Sequence, residues 1–313
     1  MAQGEMKGGH FMKFGAKEDI IHITSQWEGE RFPDGRPKVS DDILQRFRNL
    51  TIEEPHSFLW RAGYLYQFEG RFKYTHPGVK LVGRAVTGTM VPKRPDLDNI
   101  LYEYGTKLEG RYGSMNQWVI ESLVEDDVAV VDMFDKIYEG TFIGGNLTTA
   151  IANRTKRGGA VIWGGVRDLE QIVEIPGIQT YYRGTDPMWI KGVTLVGLNS
   201  PCRIGGAICL PGDVVFGTMA GVLFIPPHLA EDCVIDAEKA HVRDIFAFIR
   251  LDEGIYNSAQ IDTAWTVAMF DDFIDWFNKS PEAKNYRHLT WDNELTETRT
   301  RESSGDNRPQ VRQ

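Results

Sequence analysis

The chain has 313 residues, 42% of them hydrophobic and 25% charged, with a formal net charge of -9. That length allows one large domain or two small ones and is ample for a buried core. The acidic balance argues against nonspecific nucleic-acid binding, which needs a basic face, and the three cysteines show neither paired metal spacing nor a disulfide framework.

Met1 to Phe14 lacks the continuous apolar run of a signal peptide, and no later stretch is long enough to span a bilayer. The expectation is a chain with no membrane segment, cytoplasmic, or else the mature part of an exported protein. Residues 1–38 mix charge, aromatics and a Pro-Asp-Gly turn signal and read as an extension. Ser40 then precedes Asp41 and Asp42 as a plausible helix cap with acids in the first turn. Val79 to Met90 alternates with β-branched residues and predicts a strand, in which Arg84 faces solvent or braces a site. A helix is predicted over Asn116 to Val124. Val128 to Val131 is an apolar run of the buried parallel type ending at Asp132, which reads first as a turn former or cap.

The stretch Gly144 to Asp168 is the centre of the chain. Leu147, Ala150, Ile151 and Ala152 recur at helical spacing after Gly144-Gly145-Asn146, so a helix is predicted to begin at or just after Asn146, with Asn146 as its cap. Its first amides lack intrahelical partners, and glycines let a ligand approach them, so a carboxylate or phosphate fits there. Lys156-Arg157-Gly158-Gly159 closes the helix, Ala160 to Trp163 forms a short buried strand, and Gly164-Gly165 is expected to turn the chain. Arg167 and Asp168 then emerge at the strand's carboxyl end, where open α/β sheets bind ligands.

Beyond it, Leu169 to Val173 predicts a helix, and Pro176 to Thr180 and Val193 to Val196 predict strands separated by a loop over Tyr181 to Pro187 that carries Arg183. Pro211-Gly212-Asp213 is a turn into Val214 to Phe216, with Asp213 making a turn hydrogen bond. Gly221 to Ile225 is the last core strand, ended by Pro226-Pro227. Leu229 to Phe248 and Ile261 to Asn278 predict amphipathic helices. The polar composition of Glu297 to Gln313 predicts a disordered tail.

Several of these stretches together resemble the RraA-like family, which contains 4-hydroxy-4-methyl-2-oxoglutarate aldolases and oxaloacetate decarboxylases. The resemblance is carried by Gly145-Asn146-Leu147-Thr148-Thr149, Gly164-Gly165-Val166-Arg167-Asp168, Pro211-Gly212-Asp213 and Gly221-Val222-Leu223 in that order. It implies an α/β three-layer β/β/α swivelling-domain fold over residues 39–249; the chain exceeds that core at both ends, and its own composition predicts a helical extension over 250–296 and a disordered tail over 297–313. It also implies a homotrimer or hexamer with sites between subunits.

By that resemblance the chain is a metal-dependent lyase acting on a 2-oxo acid. Arg167 offers two parallel donors to the substrate carboxylate. Asp168 is a hard oxygen ligand suited to Mg²⁺ or Mn²⁺, which would polarise the keto oxygen. The amides of Gly144, Gly145, Asn146 and Leu147 complete the cradle. Glu238 or Asp244 on the C-terminal helix is the candidate catalytic carboxylate reaching a neighbouring subunit, and no lysine is needed as a Schiff base. Two departures stand out: the acidic residue usual after the first glycine is Asn146, and the acid usual before the last strand is missing from Phe216 to Gly221. The alternatives are a non-catalytic, protein-binding regulator of ribonuclease activity and a sugar-acid lyase or dehydratase using the same metal site.

Overall fold

The computed structural model describes residues 14–304. The chain divides into two compact units, one made of the residues up to Arg48 with Leu65–Ala230, the other of Asn49–Tyr64 with the residues from Glu231 onward. The division falls earlier than the expected domain end at 249. The helix Glu53–Arg61 and nearly all of the helix Ala230–Asp252 belong to the second unit. Among the described residues no helix is long and apolar enough to cross a membrane.

The first unit is built on one mixed sheet. Its strands, in chain order, are β1 (Phe68–Glu69), β2 (Lys73–Tyr74), β3 (Leu81–Pro92), β4 (Asp127–Asp132), β5 (Thr141–Ile143), β6 (Gly159–Val166), β7 (Gln179–Thr185) and β8 (Val193–Leu198), then β9 (Cys202–Ile204) and β10 (Ala207–Cys209), which form a separate hairpin, and β11 (Val214–Thr218) and β12 (Gly221–Ile225). The sheet order is β1-β12-β11-β3-β4-β6-β7-β2, with β5 added beside β6 and β8 beside β3. β3, β4, β6 and β7 run parallel, and β11 and β12 are antiparallel neighbours.

Alternate side chains of these strands enter two different cores, as the period of two requires. Ala129, Val131 and Ile162 pack with Trp118 and Ile151 of the flanking helices, whereas Val128, Val130 and Val161 pack with Cys202, Ile204 and Cys209 of the hairpin. The result is helices, sheet and hairpin in three layers, as the expected β/β/α fold requires. All three cysteines are free and buried.

Local chemistry explains several elements. Ser40 caps the helix Asp41–Phe47 by accepting a hydrogen bond from the Ile43 amide, as expected. Arg84 is buried and donates to the Val39 carbonyl at 2.7 Å while pairing with Asp41, so it braces the domain start and does not face solvent. Asp41 is held below its usual range chiefly by that hydrogen bond. Asp213 accepts from the Leu210 amide at 2.8 Å, the turn bond anticipated for it.

Other expectations are corrected. Gly164 and Gly165 do not turn the chain, because β6 continues to Val166. They are small because the loop before β5 presses on the strand: a Cβ at Gly164 would lie 2.5 Å from that of Met133. Tyr181 to Thr185 is strand and not loop, since Tyr181 and Tyr182 pair with both β6 and β2. The last aromatic helix begins at Val267 and not Ile261, with Thr266 accepting from the Met269 amide to cap it. Residues 297–303, expected to be disordered, belong to the helix Asp292–Ser303, and 305–313 lie outside the described residues. That polar helix is held by tertiary bonds, including Lys239 to Glu294 at 2.6 Å and the Val267 amide to Glu302 at 2.8 Å.

The second unit is helical around an aromatic core of Phe246, Trp265, Phe270, Phe273, Trp276 and Trp291. Phe273 and Trp291 meet edge to face with ring centroids 4.7 Å apart, a favoured arrangement of aromatic quadrupoles.

Candidate functional site

Two chain segments meet at the carboxyl end of β6. β5 lies parallel to it, with Ile143 opposite Val166, and the Arg167 amide donates to the Ile143 carbonyl at 3.0 Å. Gly144 follows β5 and caps the helix Gly145–Thr155, so the start of this helix lies directly against Arg167 and Asp168. Asn146 is the second residue of the helix and not its cap, and its side chain is exposed. The two glycines are explained by space. A Cβ on Gly144 would collide with Asp168 Oδ2 and stand 2.9 Å from Arg167 Cγ, and one on Gly145 would collide with Gln171 Oε1.

Asp168 has left-handed backbone angles, φ 53° and ψ 38°, an uncommon conformation for a residue with a side chain and one that Asp tolerates better than most. Its carbonyl starts the short helix Leu169–Ile172, but its carboxylate does not cap that helix. Oδ2 instead accepts from the Gly145 amide at 3.2 Å and stands 3.5 Å from Arg167 Nη1. The carboxylate thus sits on the positive end of the longer helix. The Arg167 and Asp168 side chains are 37% and 28% exposed, so both are open to a ligand from solvent. Among the described residues the amides of Asn146 and Leu147 take no acceptor, whereas that of Gly145 is already engaged. Of the four residues anticipated as a cradle, Gly145 thus spends its amide on Asp168, and the next two keep theirs available.

Among the described residues no cluster of three or more His, Cys, Asp or Glu could hold a metal alone. A single partly exposed carboxylate suits Mg²⁺ or Mn²⁺, which keep several waters and need few protein ligands, better than Zn²⁺, which needs three or four. Glu238 and Asp244 belong to the second unit. Glu238 is 3% exposed and its Oε2 lies 2.8 Å from His288 Nε2.

Three features were missed in the sequence. Gln171 packs on the helix start through Gly145, and nothing in its surroundings in the chain marks it. On the hairpin side of the sheet, Trp163 lies beside Asp132 in register and is covered by the guanidiniums of Arg183 and Arg71, 4.3 and 5.4 Å from its ring centre. Arg203 approaches Asp132 at 3.9 Å, and burial still pushes the Asp132 carboxyl up. Arg183 pairs with Asp135 and Arg71 with Glu69, so this cluster is balanced in charge. Third, the N-terminal extension carries Arg36, whose Nη1 and Nη2 lie 2.9 and 3.0 Å from the two oxygens of buried Asp127.

A mixed sheet with helices on one face and a hairpin on the other, and an Arg-Asp pair laid on a helix start at the end of a parallel strand, defines the class of protein. Comparison with known proteins makes it specific. The family model described as RraA-like, Aldolase/RraA, matches residues 37–224, and the chain belongs to that family. The family includes lyases and ribonuclease inhibitors. Similar solved structures include Streptomyces coelicolor RraAS2, titled an unusual member of the RNase ES inhibitor RraA family, at 22% identity and a TM-score of 0.57, covering 68% of this chain and all of that one. Another is an uncharacterized protein from Pseudomonas syringae pv. tomato, at 19% identity and a TM-score of 0.56, covering 70% of this chain and 96% of that one. These likenesses establish the fold. No curated protein matches the chain in sequence.

Proposed function

We propose that the protein is a divalent-metal-dependent carbon-carbon lyase acting on a 2-oxo acid, of the 4-hydroxy-2-oxo acid aldolase or oxaloacetate decarboxylase type. The observation that carries this reading is the convergence of the Arg167 guanidinium, the Asp168 carboxylate and the start of the helix Gly145–Thr155 on one partly open site. Arg167 binds the substrate carboxylate through parallel N-H donors. The amides of Asn146 and Leu147 add two more donors at a helix N-terminus. Asp168 would hold Mg²⁺ or Mn²⁺, which when bound supplies Lewis-acid stabilisation of the negative charge developing on the keto oxygen. The Gly145 amide and Arg167 fix the direction of the Asp168 carboxylate before substrate arrives, which removes an ordering cost from binding.

Breaking the C3-C4 bond turns C4 into a carbonyl as its hydroxyl gives up a proton, or releases C4 as CO₂ from oxaloacetate, and leaves the electron pair on the three-carbon fragment, which must take up a proton to leave as pyruvate. Glu238 or Asp244 of a neighbouring subunit in a homotrimer or hexamer is the proposed acid; Asp244 is the more accessible of the two, and Glu238 would first have to leave His288 and its buried position. Asn146 stands where a carboxylate would otherwise share the proton traffic, so the chain depends more on that donor.

The test is pyruvate release from a panel of 4-hydroxy-2-oxo acids and oxaloacetate, with and without Mg²⁺, for wild type and Asp168→Ala. Metal-dependent pyruvate from wild type that disappears in the variant supports the reading. No metal-dependent pyruvate from any member of the panel removes it and favours a protein-binding role of the kind named for RraAS2. An unchanged carbon skeleton with loss of water would instead indicate a sugar-acid dehydratase.

A further inference from the structure

A cavity of about 490 Å³ opens in the first unit, within the size range of small-molecule sites. None of Gly144 to Leu147, Arg167 or Asp168 lines it. Its walls come from the end of β3, the helix Pro95–Glu103, the start of the helix Met115–Glu121 and the approach to β8.

The backbone is irregular on two sides of this cavity. The ladder between β3 and β8 shifts register between Thr89 and Met90, and the Leu195 amide donates to the Met115 sulfur at 3.2 Å. A thioether is a weak acceptor, so the bulge gives up a good ladder bond here. The helix Pro95–Glu103 runs on into a π-helical turn, Tyr104–Leu108. Bulges and π-turns are both concentrated at functional sites, because the geometry they cost is retained where it shapes a site.

The chemistry of the lining is specific. Met90, Met115, Ile190 and Val193 supply an apolar wall, and Tyr102 supplies an aromatic one that is stacked on Trp118 at 5.7 Å. The acid of the lining, Asp98, is already satisfied: Lys93 lies 2.6 Å from Oδ2 and Thr194 donates to Oδ1 at 2.7 Å. Lys191 is held more loosely, 4.7 Å over the Trp189 ring and 3.4 Å from Glu139, which does not line the cavity. Lys93 is spent on Asp98, so Lys191 is the lining ammonium left to meet an anion, and the walls favour an apolar body.

We propose that this cavity is a second binding site, for a small carboxylic acid with an aromatic or branched apolar body, whose carboxylate is met by Lys191. The proposal does not rest on the lyase reading. Equilibrium dialysis with 3-phenylpropanoate, using 3-phenylpropanamide as the neutral control, tests it on the full chain. Wild type is expected to bind the acid saturably and the amide at least about fivefold more weakly, with Lys191→Ala weakening the acid about three- to tenfold, the size of one charge-assisted contact at a half-exposed rim. Ile190→Trp, checked for an unchanged melting profile, fills the space and is expected to abolish binding, whereas Asp168→Ala leaves it unchanged. Absence of saturable binding, equal binding of acid and amide, or loss of binding in Asp168→Ala overturns the proposal. If Ile190→Trp fails to fold, Lys191→Ala and the acid-amide comparison decide it.

Discussion

At the residue scale the site depends on what is absent from Gly144. Its φ is -133°, so alanine meets no backbone strain there, and the whole effect of Gly144→Ala falls on the neighbours its methyl would strike, Asp168 Oδ2 and Arg167. We therefore expect pyruvate release to fall at least about tenfold while the melting temperature changes little, since misplacing reacting groups by an ångström costs far more in rate than in stability. Unchanged kcat in a folded variant would separate the glycine from the chemistry. A different residue governs pH dependence. Burial pushes Asp213 up to about 8 against an ordinary carboxylate near 3.8, outweighing the hydrogen bonds it accepts from the Leu210 amide and the Cys209 thiol. The unfolded chain releases this proton at much lower pH than the folded one, so the contribution to stability is full below the unfolded value and is lost as pH rises towards and through 8. Asp213→Asn keeps an acceptor for the Leu210 amide and cannot ionise. Its stability relative to wild type should therefore climb between pH 5 and pH 9 in chemical denaturation, and a flat difference would mean that Asp213 ionises freely.

At the element scale the N-terminal extension is part of the sheet's support. Arg36 reaches Asp127 at the start of β4 with both side chains essentially buried, and removing one partner leaves an uncompensated buried charge. Arg36→Ala should cost about 3–5 kcal/mol in urea unfolding, whereas the double change Arg36→Met with Asp127→Leu should recover much of it. A loss under about 1 kcal/mol in the single variant, the scale of an exposed pair, would show that water reaches Asp127. That pairing was not legible in the sequence because 91 residues separate the partners and neither lies in a motif. The legible elements were those whose signal is local: the alternation of β3, the apolar run of β4, the Ser40 cap and the helix after Gly144. The Arg167-Asp168 pair was singled out on a strand ending at Trp163 and a glycine turn after it, but β6 runs through Gly164 and Gly165 to Val166, and the bond from Asp168 back to Gly145 depends on β5 lying beside β6. Tyr181 to Thr185 looked like a loop because aromatic and polar residues alternate with glycine. Pairing on both sides makes it a strand, and local propensity does not record such pairing.

At the scale of the whole molecule, the sheet unit and the helical unit each pack an apolar core, and unfolding can be followed in each. The sheet unit carries Trp118, Trp163 and Trp189, and the helical unit packs around Trp265, Trp276 and Trp291, so tryptophan fluorescence and calorimetry can follow each. Multidomain chains depart from two-state unfolding, and the expectation is two transitions. Ligand linkage then assigns the site. A 2-oxo acid with Mg²⁺ at about a hundred times its Kd stabilises the unit that binds it by about 2.7 kcal/mol. If binding is complete within the unit that holds Arg167 and Asp168, only the transition of that unit moves. If Glu238 or Asp244 of a neighbouring copy also closes on the substrate, the helical unit's transition moves with it, and that response is abolished by Glu238→Gln or Asp244→Asn, whichever residue takes part. The Glu238 measurement carries its own control, because Glu238 is bonded to His288 inside its unit. A variant that lowers the helical transition equally with and without ligand has lost only that bond, whereas one that removes the ligand-dependent shift has lost a group that meets substrate.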